Sequence, residues 1–201
     1  MPVVEDLKHI AEVATGLGRP DWVDIVTPSR KPQLYSFRDD GETPNNPHLP
    51  LVHYRSAVRL DPAFDPAAIF EVLFKHYGWT GAWRDGVYDF NHFHTRTHEV
   101  LGIARGTVRV RFGGAQGRTL ELKAGDVVVI PAGTGHRRIS GSRDLLVVGA
   151  YPDNGGKYNE PKPDEVDAKR ARADIAKVKL PKRDPVYGAK AGLLRVWRNR
   201  E

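Results

Sequence analysis

At 201 residues, 40% of them hydrophobic and 28% charged, the chain is long enough to bury one sizeable core. It contains no cysteine, which excludes disulfides, thiolate metal sites and cysteine nucleophiles. The net charge of +6 is concentrated late, in KRARADIAKVKLPKRD and RVWRNRE, with acids interleaved and no recognition motif; a solvated basic surface that mildly favours small anions is expected, not nucleic-acid binding.

Residues 3–17 place Val4, Leu7, Ile10, Ala14 and Leu17 at helical spacing, and Gly18 and Pro20 stop the pattern. With the connector that follows, this makes residues 1–33 an N-terminal extension. QLYSFR reads as a short strand, DDGETPNNPHLP as turns, and LVHYRSAV as a second strand in which His53 is expected to be structural or exposed. A helix is predicted over residues 65–77. Asp65 suits its N-cap and Pro66 its first turn, while Ile69, Phe70, Leu73 and Phe74 form an apolar stripe and Gly78 ends it.

From Tyr88 the period changes to two. The segments VYDFNHF, EVLGIA, TVRVRFG, TLELKA, DVVVIP, HRRIS and LLVVGAY read as strands separated by glycine turns. Val108, Val110 and Phe112 should face inward, with Arg109 and Arg111 outward. VVVI, apolar on both faces, suits a central strand. Strands at this spacing make an all-β sandwich or barrel over residues 34–156. Residues 157–201 read as an irregular tail packed back through Leu180, Val186 and Tyr187, in which EVDAKRARADIAKV is a short helix or a charged excursion and LLRVW an outer strand or a partner contact. No apolar run approaches the roughly 18 residues of a membrane span, and no signal pattern follows Met1, so a cytoplasmic protein with no membrane partner is expected.

The chemistry concentrates in two stretches. In NHFH, an extended backbone puts His92 and His94 on one face with Cα atoms about 6.6 Å apart. TRTH then turns the chain so that Glu99 opens the next strand on the same inner face, and PAGTG delivers His136. Three imidazoles and a carboxylate suit one divalent transition metal, among Fe, Mn, Ni, Zn, Co and Cu. By alternation His98 faces away from the ion, although a bulge would turn it in as a base. Arg138, two beyond His136, and Arg96, in the loop, are the candidates for holding a substrate carboxylate. Trp83, Tyr88 and Phe93 read as core or rim packing.

The spacing G-x5-H-x-H-x4-E-x6-G from Gly86 to Gly106, followed by G-x5-P-x-G-x2-H from Gly125 to His136, resembles the two motifs of the cupin superfamily. The pattern usually ends in asparagine four residues after the histidine, where this chain has Ser140. The segments FRDDGETPNNPHLPLVHY, WRDGVYDFNHFHTRTHEVLG, GAYPDNGG and KLPKRDPVYG are similar to the YjlB-like branch. The resemblance implies a double-stranded β-helix (jelly-roll) barrel with metal ligands His92, His94, Glu99 and His136, in a branch whose reaction is not established. Single-module cupins commonly pair, so a homodimer is expected. Two function classes follow: a metal-dependent enzyme of dioxygenase, isomerase or decarboxylase type acting on a small polar or anionic molecule, or a non-catalytic module that binds or senses a small ligand or metal.

Overall fold

The computed structural model describes residues 25–28, 31–62, 64–189 and 192–198. The helix expected over residues 3–17 lies outside them. Among the described residues, nine strands form two antiparallel sheets. The larger joins β1 (Gln33–Tyr35), β2 (Leu51–Tyr54), β3 (Trp79–Asp85), β4 (Glu99–Arg105), β7 (Val127–Ile130) and β9 (Leu146–Pro152) in the order β1-β2-β7-β4-β9-β3. The smaller joins β5 (Thr107–Phe112), β6 (Arg118–Lys123) and β8 (His136–Gly141) in the order β6-β5-β8. No helix among these residues is long and apolar enough to cross a membrane.

Period-two alternation sorts the large sheet between two cores. Leu101, Ile103, Val128 and Ile130 join Val108, Val110, Phe112 and Leu122 of the small sheet inside the barrel. Val100, Ala104, Val127 and Val129 point the other way, onto α1 (Pro66–His76) and the tail. The four residues of β7 are therefore buried on both faces, as VVVI implied. Helix α1 starts where the sequence says: the Asp65 side chain accepts from the Ala67 N–H at 3.1 Å, Pro66 follows, and Ile69, Phe70, Leu73 and Phe74 are buried. Phe70 lies so close to β4 that a Cβ on Gly102 would sit 2.4 Å from its ring. Gly102→Ala should therefore cost about 1–3 kcal/mol by overpacking. An unfolding midpoint equal to wild type would show that α1 can slide off the sheet at no cost.

Strand β3 departs from expectation. It pairs with β9, but a register shift between Thr80 and Trp83 breaks its alternation. Conversely, VYDFNHF is not a strand. It touches β8 at two separated points, where Arg138 N–H donates to the Tyr88 carbonyl and His92 bridges His136, and a bend at Asp89–Phe90 lies between them. That interruption makes residues 86–91 a rim rather than a wall.

The tail, in which EVDAKRARADIAKV takes the helical one of its two readings, is irregular between its helices. It carries α2 (Ala168–Ile175), capped by Asp167 on the Arg170 N–H at 2.7 Å, and α3 (Leu193–Arg198). LLRVW is thus a helical turn and not an outer strand, because Leu193, Leu194 and Trp197 fall on one helical face and are all buried. Trp197 Nε1–H donates to the Pro50 carbonyl at 2.9 Å. Asp184, fully buried, accepts from the N–H groups of Val186, Tyr187 and Leu193 at 2.8, 2.9 and 3.0 Å and from the Tyr54 hydroxyl at 2.5 Å, so one carboxyl ties the tail to β2. His53 is buried as well, with Nε2 3.1 Å from Asp126, a carboxyl held low against burial by His53 and the Ser56 N–H.

Candidate metal centre

The antiparallel bridge between His92 and His136 places two imidazoles across from each other, with ring centroids 4.1 Å apart. His94 follows two residues on, and Glu99 opens β4 on the face it shares with Leu101 and Ile103. All four are buried, none more than 4% exposed. One nitrogen from each of His92, His94 and His136 can be chosen so that all lie within 4.8 Å of one another. Glu99 Oε2 is 3.1 Å from His94 Nε2 and 3.2 Å from His136 Nε2.

The outer ring nitrogens decide how the inner ones behave. His92 Nδ1 faces the Phe90 carbonyl at 3.3 Å, His94 Nδ1 the Asn159 carbonyl at 2.5 Å and His136 Nδ1 the Thr134 carbonyl at 3.1 Å. A carbonyl only accepts, so each Nδ1 carries the proton and each neutral ring presents a bare Nε2. Two of these lone pairs abut the Glu99 carboxylate, also an acceptor. Such an arrangement closes electrostatically only around a cation, either a proton taken by an imidazole or a metal ion. The titration tendencies agree: burial opposes ionisation, yet Glu99 is held below the usual carboxylate range by His94 and His136, and against burial the Glu99 carboxylate pushes His94 up. His92, desolvated and beside two other imidazoles, is pushed down to about 3. The donor set therefore fits a divalent transition metal.

The remaining candidates separate. His98 lies on the opposite face of β4, fully buried, its ring 4.7 Å from that of Trp197 and its Nδ1 accepting from the Ala132 N–H at 2.9 Å. No bulge turns it toward the site. Arg96 also points away, its Nε 4.0 Å from Asp174 on α2. Arg138 is half-buried on β8, its guanidinium beside Gly86 at the rim. Trp83 and Tyr88, read as core or rim packing, line a cavity of about 580 Å³ that opens from the histidines, and no sign in the sequence marks the residues that join them there, Tyr151, Tyr158 and Glu160. Composition marks PDNGGKYNEPKPDE, residues 152–165, as a loop, and nothing local in it says that Asn159 reaches back to His94.

His98 yields an independent expectation. Burial pushes it down to about 3, whereas an unfolded histidine titrates near ~6.5. Its contribution to stability is therefore fully present above ~6.5 and declines as pH falls toward 3, by up to about 1.4 kcal/mol per pH unit. His98→Gln, whose carbonyl can still accept from Ala132, should flatten the fall in urea midpoint between pH 7 and 4.5. Equal slopes in the two proteins would assign the proton uptake to other groups.

A family model described as a cupin domain matches residues 85–148. Over 168 residues the chain is 38% identical to an uncharacterised protein of Bacillus subtilis (strain 168), YjlB, covering 84% of this chain and 98% of that one. The chain belongs to the YjlB-like cupins. Among solved structures, this cupin is similar to the acireductone dioxygenase of Bacillus anthracis with a cadmium ion in its active centre, at 16% identity and a TM-score of 0.32 over 45% of this chain and 61% of that one. A Bacillus subtilis oxalate decarboxylase matches at 17% identity and a TM-score of 0.34 over 66% and 33%. The chain spans less than two thirds of either, and at such scores neither carries a reaction over to this cupin.

Proposed function

We propose that this cupin is a metal-dependent enzyme that holds one divalent first-row ion through His92, His94, Glu99 and His136 and acts on a small polar molecule admitted through the cavity. The observation that carries the reading is the tautomer set on all three histidines by backbone carbonyls, which leaves three bare Nε2 atoms in one buried cluster, two of them against the Glu99 carboxylate. An ion held there would supply a Lewis acid with positions open toward the cavity, the requirement common to dioxygenase, isomerase and decarboxylase chemistry. A cavity of about 580 Å³ is far larger than an ion needs, which favours work on a ligand over a closed structural site. The backbone carbonyls of Phe90, Asn159 and Thr134 orient the three rings.

Elemental analysis of protein from its native host should find one ion per chain. Stripping that ion with a chelator at neutral pH should lower the melting temperature by on the order of 10 °C, since about 4 kcal/mol of linkage is lost when ligand stood at a thousand times its Kd. Superimposable melts, on protein shown to begin loaded and end empty, would uncouple the ion from the barrel and sink this assignment.

A further inference from the structure

The whole chain is basic, yet the wall of the cavity is not. Besides Glu99, two carboxylates, Asp85 and Glu160, stand among its lining residues. The lining guanidinium, Arg84, is already engaged by two acids: Nε and Nη2 each meet a Glu71 oxygen at 2.6 Å, and Nη1 meets Asp65 at 2.7 Å. The rest of the approach is aromatic, formed by Trp83, Tyr88, Tyr151 and Tyr158. These rings are positioned with little freedom. Trp83 lies flat against β9, where a Cβ on Gly149 would be 2.1 Å from the indole, and its N–H donates to the Tyr151 hydroxyl at 2.8 Å. The Tyr151 and Tyr158 rings are 4.9 Å apart, and the Tyr158 hydroxyl donates to Glu160.

These bonds spend polar handles inside the wall. The indole N–H and the Tyr158 hydroxyl have partners already, so they are not free to bind a ligand's hydroxyl groups. Besides the Tyr88 hydroxyl, the wall offers a ligand the negative faces of the rings and the charge of Asp85 and Glu160, and both attract cations. The rim already holds one cation in this way: Lys162 Nζ sits 4.9 Å from the centroid of Phe90, and 3.5 Å from Glu165.

We propose that the cavity selects a small organic cation, a molecule with an ammonium or quaternary ammonium group held between the aromatic wall and Glu160 and an oxygen donor at its other end directed at the histidine cluster. The oxygen end rests on the metal reading; the cationic end does not. The expectation of an anionic substrate, drawn from net charge, is replaced by one drawn from the charges that line the site.

Glycine betaine and 3,3-dimethylbutanoate test this, because they share a shape and a carboxylate and differ only in the positive charge of the quaternary centre. Their affinities are to be measured by calorimetry on loaded protein of known metal content and again after chelation. Betaine should bind loaded protein at least about tenfold more tightly than its neutral-headed isostere. Glu160→Gln and Tyr158→Leu, each checked for a wild-type melt, should narrow that ratio. Chelation should weaken both probes and leave the ratio standing. Equal affinities, a preference for 3,3-dimethylbutanoate, no betaine binding at tens of millimolar, or a ratio untouched by both substitutions would each overturn the proposal. A ratio that persists in a protein shown never to retain metal would instead overturn the metal reading and leave this one in place.

Discussion

Exchanging Glu99 for glutamine should empty the metal site at neutral pH and leave the barrel folded. The carboxylate supplies the negative charge among four proposed donors, and it faces the bare Nε2 atoms of His94 and His136 at 3.1 and 3.2 Å. A glutamine of the same shape brings an NH2 that can donate to one of those nitrogens, so the proton count closes with no cation present. Affinity for the ion should fall by more than about a hundredfold, beyond what losing an outer-shell partner costs. The melt of Glu99→Gln should then be indifferent to chelator, whereas the wild type responds. Metal retained in the variant at wild-type affinity would mean that the ion is held elsewhere.

Replacing Asp184 by alanine should be the most damaging single change away from the site. Four donors converge on that carboxyl, three of them from the buried residues Tyr54, Val186 and Leu193, and all four lose it as an acceptor. A loss of about 3–5 kcal/mol is expected from four unmet hydrogen bonds at roughly 1 kcal/mol each. Because the donors span β2 and the start of α3, the tail should detach locally as well, removing Trp197 from His98 and the Pro50 carbonyl. A urea titration gives the global cost, and limited proteolysis with mass mapping shows whether cuts begin in the tail. A change below about 1 kcal/mol with an uncut tail would show that the donors find other acceptors.

The parts that could be read in the sequence are those in which local pattern and final environment coincide. Asp65-Pro66 followed by a four-residue apolar stripe specifies a capped helix without reference to anything else, and that helix forms. Val108, Val110 and Phe112 alternate because one face of β5 meets the core and the other does not. Alternation likewise turned His98 away from Glu99. Where the pattern failed, a second constraint had overridden it. The register shift in β3 and its glycine erased the period of two, so WTGAWRD did not read as a strand. The alternation of VYDFNHF came from Tyr88 and His92 bordering a cavity, with Phe90 stacked on Tyr88, not from a strand with one buried face. LLRVW is too short for its helical face to stand out.

One bond in the candidate metal centre changes what counts as the unit of inheritance. The carbonyl that fixes the His94 tautomer belongs to Asn159, 65 residues further on, and Asn159 also accepts from the Thr95 N–H at 3.1 Å and donates to its hydroxyl at 2.8 Å. Phe93 N–H donates to the Pro161 carbonyl at 3.2 Å, so the strip bearing the first two histidines is stitched along its length to a segment past the end of the cupin-domain match. A graft of the two motif stretches into a foreign barrel would transplant four donor atoms and leave behind the part that tells one of them where its proton goes. In this protein the loop after the last strand is as much a part of the centre as the strands that name the fold.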